Sequence, residues 1–166
     1  FRLFIGSLLR ALENPSDLEA RGRMLLGAAL AGTAIEHSML GAAHSAANPL
    51  TAHYDVIHGQ AVGIMLPHVV RFNSDDEASA GGYTALIRGT PLEPARGGSS
   101  AKALADELVE LLGIAGLPGG LDACGVEEAK IGIMSEEAAH QWTASFNPRD
   151  ITAADFTELY QKAFAS

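Results

Sequence analysis

The 166 residues are 48% apolar and 19% charged, with a formal net charge of -9. A chain of this length suits one domain with a sizeable core, and its apolar fraction excludes an intrinsically disordered segment. The acidic excess leaves no surplus of Lys or Arg for a phosphate backbone or an anionic membrane surface, so neither nucleic acid nor a membrane is an expected partner.

Helical spacing dominates from the first residues, and no run alternates β-branched and polar residues, so the expected class is all-α, as one domain over 1–166. "FRLFIGSLLRAL" predicts a helix from Arg2 to Leu12 that stops before Asn14-Pro15. It begins on Phe, with no basic stretch or cleavage site of a secretory signal, which reads as a piece of a longer protein. Ser16-Asp17-Leu18-Glu19 has the form of a capping box, with Ser16 and Glu19 satisfying each other's N–H groups, and starts a helix near Asp17. The stretch "MLLGAALAGTAIEHSMLGAA" is about long enough to span a bilayer, but Glu36 and His37 interrupt it, and it reads as a buried central helix. Gly27, Gly32 and Gly41 would let neighbouring helices come close. This helix is expected to run, with a break near Gly41, to Asn48, because Pro49 disfavours helical geometry in the residue before it.

A turn through "NPLTAHYDVI" should precede a helix from His58, with Pro67 opening a further short helix that ends near Phe72-Asn73. "NSDDEASAGG" and "GTPLEPARGGSS" read as loops flanking a short helix from Tyr83 to Arg88. Ser99 or Ser100 can cap "AKALADELVELLG", whose leucines recur at helical spacing up to Gly113. Short segments are expected around Val126 to Lys130 and Glu136 to Trp142. Thr152, with Asp155 three places on, opens a last helix to Phe164. Cys124 is the only cysteine, so an intrachain disulfide is impossible and a reducing, cytoplasmic setting is expected.

Four of the six histidines, His44, His53, His58 and His68, fall in "GAAHSAANPLTAHYDVIHGQAVGIMLPHVV". His44 and His58 can converge only if the chain folds back between them. Imidazole is a common ligand of first-row divalent metals, but a catalytic site needs at least three protein ligands, so two histidines are half a site. Hydrogen-bonded packing residues are the alternative.

The run "AGTAIEHSMLGAAHSAANPL…HYDVIHGQAVGIMLPHVVRFN", together with the tail "FNPRDITAADFTELYQKAF", resembles iron-containing (group III) alcohol dehydrogenases over nearly the whole chain. The resemblance implies the all-helical, bundle-like C-terminal domain of the dehydroquinate synthase-like fold. It implies that His44 and His58 are metal ligands for Fe²⁺, Zn²⁺ or another divalent ion. The other two ligands, an Asp and a His, and the NAD(P)-binding domain would lie in an N-terminal part absent from this chain. The activity implied is hydride transfer between a small alcohol or aldehyde and NAD(P), an oxidoreductase reaction for which this chain alone would be insufficient. Many members carry a His near the nicotinamide where this chain has Asn48, and an amide does not exchange protons as imidazole does. His53 is the candidate to replace it in a proton relay, against the alternative of an exposed turn residue.

His68, His37 and His140 read as a packing residue, a hydrogen-bonded interior residue and a solvent-facing residue respectively. Thr51, Tyr54 and Asp55 lie where substrate contacts are possible, and Asn147-Pro148-Arg149 reads as a tie between the last two helices. A maleylacetate reductase or a dehydroquinate synthase-like lyase on the same fold, and a non-catalytic helical assembly domain, are the alternative functions. Apolar residues near His44 and His58 that would face the absent domain are expected to let the isolated chain self-associate, and a homo-oligomer is expected.

Overall fold

The computed structural model describes residues 1–95 and 97–164. Arg96, inside the second expected loop, and the two residues after Phe164 lie outside the described residues. Every regular element among the described residues is helical, as the periodicity implies.

The first expected helix is two pieces, α1 (Arg2–Ile5) and α2 (Leu8–Glu13), interrupted at Gly6-Ser7. The third helix, α3 (Leu18–Ser38), is capped by Asp17, whose carboxylate accepts from the Ala20 N–H. The expected Ser16–Glu19 box is therefore not made. Arg10 instead bridges Asp17 and Glu19, and Glu19 turns away to Arg23.

α3 is not the buried helix its composition suggests. It packs mainly against the short α1 and α2, so Leu25 is 74% exposed, and Leu26, Leu30 and His37 also face outward. Local apolar content records what a helix can bury, and only tertiary neighbours decide whether it does.

The break near Gly41 is real: Met39 takes a left-handed φ of 64° and ends α3. α4 (Ala42–Tyr54) then runs straight through Pro49, and α5 (His58–Asn73) through Pro67. Both prolines are fully buried, and packing offsets the backbone hydrogen bond each removes, which is why neither ends its helix. α6 (Glu77–Ile87) starts inside the expected acidic loop because Asp76 caps it through Ser79. α7 (Ser100–Ile114) is capped by Ser99. α8 (Ile131–His140) and α9 (Ala153–Phe164) follow short 3₁₀ turns, and Thr152 and Asp155 cap α9 reciprocally.

The main core lies where α4, α5, α8 and α9 meet, around Leu50, Ile64, Met65, Met134, Phe156, Leu159 and Tyr160. Ala42, Ala46 and Ala47 have no exposed surface, so α4 reaches its neighbours through methyl groups. Tyr160 is buried across from it and donates to the Ala46 carbonyl at 2.7 Å. A smaller core joins α5, α6 and α7 through Val70, Ile87 and Leu104. Gly63 permits the α5–α7 approach, since a Cβ there would lie 3.0 Å from Leu112 Cδ2.

Candidate metal centre

His44 sits in the first turn of α4, and His58 is the first residue of α5. The hairpin between them is short and pinned: Asp55 ends α4 in the left-handed conformation, Thr51 Oγ1 donates to the Val56 carbonyl, and Tyr54 Oη accepts from the Glu127 N–H. Those bonds shape the turn.

The fold brings the two rings together, with centroids 5.4 Å apart and planes tilted by 48°. Two imidazoles sharing one tetrahedral ion, with metal–nitrogen bonds of about 2.0–2.1 Å, place their ring centres about 5 Å apart. His44 is half-buried, and loss of solvent, followed by the neighbouring His58, holds its pKa below the ordinary value. A neutral ring with a free lone pair is the form a metal requires. Among the described residues no third His, Cys, Asp or Glu completes a metal-binding group. His44 lines an apolar cavity of about 550 Å³, whose walls include Ile35, Leu40, Val62, Leu66 and Phe146.

Asn48 lies one helical turn beyond His44 on the same side of α4. Its Nδ2 donates to Gln141 Oε1 at 2.9 Å. His53 is not brought to the pair. It lies nine residues after His44, half a turn round the helix and about 13 Å along it, and its Nε2 is 2.7 Å from Glu137 Oε2 of α8. A relay through His53 would have to cross α4, and the ring is held instead against Glu137.

Asn147 and Arg149 do not join the last two helices as expected. Asn147 Oδ1 accepts from the Ala42 N–H and from Asn73 Nδ2, while Asn147 Nδ2 donates to Asn73 Oδ1. Arg149 stacks over Phe72 and bonds its carbonyl and Asp75. This segment therefore grips α4 and α5, the two helices that carry the histidines. Gly41 makes room for it, because a Cβ there would lie 3.3 Å from Asn147 Oδ1.

Sequence reasoning passed over Gln141 and Thr143. With Asn147 they form a polar seam down α4: Asn48 to Gln141, Ser45 to Thr143 at 2.7 Å, and Ala42 to Asn147. The only trace in the sequence is the three-residue spacing of 42, 45 and 48. His68 is buried, as expected of a packing residue, and His140 is exposed on α8. His37, expected inside, is exposed on α3.

A family model described as "Fe-containing alcohol dehydrogenase family, C-terminal" matches residues 1–164. Lactaldehyde reductase of Escherichia coli (strain K12) is 32% identical over 148 residues, covering 89% of this chain and 39% of that protein. Among solved structures, an alcohol dehydrogenase from Oenococcus oeni superposes with a TM-score of 0.87 at 27% identity, over 98% of this chain and 43% of that one. Sulfoacetaldehyde reductase from Bifidobacterium kashiwanohense, solved in complex with NAD+, gives 0.81 at 25% identity, over 99% of this chain and 42% of that one. The chain thus spans about two-fifths of the length of these relatives.

Proposed function

The chain belongs to the Fe-containing alcohol dehydrogenase family as its C-terminal domain, and from that premise we propose that His44 and His58 are two of the ligands of a catalytic divalent metal. The protein that contains them would transfer hydride between an alcohol or aldehyde and NAD(P). The observation that carries the reading is the pairing of two imidazoles, fourteen positions apart in sequence, at 5.4 Å between ring centres. A hydrogen-bonded packing role supports neither that convergence nor an exposed His58.

The residues fit such an ion in donor type and spacing, and they supply half a coordination shell. Remaining ligands and the dinucleotide-binding unit would come from a part of the protein outside these residues. We place that part against the open apolar groove along Met24, Ala28 and Ala31 of α3, and against Ile35 beside the cavity that contains His44. The metal would act as a Lewis acid on the substrate oxygen. The chain's own contribution is to hold two imidazoles together, to line the space beside His44 with apolar side chains that exclude water, and to present Asn48 toward the nicotinamide.

The test is to replace His44 and His58 singly by Ala in the whole protein and to measure bound metal and alcohol-dependent NAD(P) reduction. Each change is expected to lower metal affinity by more than the roughly 10- to 100-fold typical of losing an outer-shell partner, and to abolish turnover. Full metal occupancy in both variants would refute the assignment.

A further inference from the structure

The cavity that His44 lines takes one wall from α5, where Val62, Leu66, Val69 and Asn73 follow one another along the helix. From Val62 to Asn73 is eleven residues, a rise of about 16 Å. An extended hydrocarbon of about ten carbons has a similar length.

The polar side chains on the walls are occupied with one another or with backbone. Ser38 Oγ donates to the Ala34 carbonyl at 2.8 Å, Asn73 and Asn147 exchange two hydrogen bonds, and Tyr83 shares a further one with Asn73. None of the described residues that line the cavity is charged apart from the ionisable ring of His44. A hydroxyl or an ionic group carried into such a space loses its water and finds no partner, whereas each methylene buried there is favourable.

We propose that this cavity holds the hydrocarbon tail of the substrate, so that the protein acts on primary aliphatic alcohols or aldehydes of medium to long chain. The oxygen end would lie beside His44 and the tail along α5. The proposal rests on the dehydrogenase reading, which places the reacting oxygen at an ion held by His44 and His58. The site asks only for apolar surface, so it discriminates by the length and the polarity of the tail.

The experiment uses the whole protein, assayed with NAD and NADP on straight-chain primary alcohols from ethanol to dodecanol and on the pentane diol with a hydroxyl at each end. Binding of octanol is also followed by calorimetry at several temperatures. kcat/KM should rise about 3- to 4-fold with each added methylene and level off near about ten carbons, where the α5 wall ends. The diol should be at least about tenfold poorer than pentanol, because its second hydroxyl is buried without a partner. Octanol should bind with a negative change in heat capacity, the mark of apolar burial. Leu66 is half-buried midway along the wall. Leu66→Phe should bring the plateau to shorter alcohols and leave ethanol within about twofold of the parent. If that variant does not fold, Leu66→Ala, which removes contacts with the tail, should lower kcat/KM for octanol about 3- to 10-fold and spare ethanol.

A kcat/KM that does not change with chain length would mean that protein rather than substrate fills the cavity in the whole molecule, and would overturn the proposal. So would a diol used as well as pentanol, octanol that binds without the heat-capacity change, or a folded Leu66 variant with the parent's profile. Each of these leaves the dehydrogenase reading standing. A protein that turns over none of the alcohols with either dinucleotide overturns that reading and this proposal with it.

Discussion

His68 shows how one side chain's surroundings set its chemistry. It is buried between α5 and α9, where loss of solvent, and then the positive charges of Arg71 and Lys162, lower its pKa from 6.5 to about 4. The unfolded chain therefore takes up a proton that the folded chain resists, and folding stability falls with pH between those two values. The stabilising contribution is complete above about pH 6.5 and is lost as pH falls through about 4. Urea midpoints measured from pH 7 to pH 4 should decline less steeply in His68→Phe than in the parent, and equal slopes would refute the assignment. His53 makes the contrasting case. Its bond to Glu137 is at the surface, so His53→Gln should cost less than about 1 kcal/mol and leave a pH–rate profile of the whole protein where it was. An ionisation that disappears with His53 would restore it as a relay. What the sequence made legible at this scale was residue type and spacing: His44 and His58 stood out because two ligand-competent side chains flanked a turn. His37 was misread because helical phase gives a direction without saying what occupies it.

α4 and the segment 141–149 illustrate what an element needs beyond its own sequence. Asn147 satisfies the first N–H of α4 and a buried amide of α5 at once, so Asn147→Leu strands polar groups that water cannot reach. A loss of about 2–4 kcal/mol is expected, read as a lower thermal midpoint, and His44 should lose its fixed position even though it is untouched. If the midpoint does not move, the amide is not structural. Caps formed by neighbours in sequence, at Ser99 and at Thr152 with Asp155, could be read in advance. The ties from Asn147 to residues 42 and 73 could not, since they join positions far apart in the chain. Pro49 and Pro67 were misjudged for the related reason that local backbone preference was set against burial, and burial prevailed. α3 shows the reverse failure, an apolar sequence with few neighbours to cover it.

At the scale of the molecule, the exposed leucines of α3 and the half-complete metal centre lead to linked expectations for the 166-residue chain by itself. It should bind divalent ions weakly, release them to a chelator, and give no alcohol-dependent reduction of NAD or NADP. It should also self-associate, because an apolar face of this extent is seldom left in water. Sedimentation velocity should show oligomers that dissociate when Leu25 and Leu30 are replaced by Glu, with little loss of thermal stability because neither side chain is buried. Unchanged oligomers would place the interface elsewhere. No helix among the described residues is long and apolar enough to cross a membrane.

The seam that joins residues 42, 45 and 48 to residues 147, 143 and 141 also bears on how this protein can be recombined. A chimera that takes its first part from one relative and the rest from another, with a crossover anywhere from 49 to 140, inherits the two sides of the seam from different parents. Such hybrids would keep both histidines and every hydrophobic core position and still mismatch at Asn48 with Gln141 or at Ser45 with Thr143. Block boundaries for gene shuffling therefore belong outside that interval, or the two strips should be exchanged together as one discontinuous block.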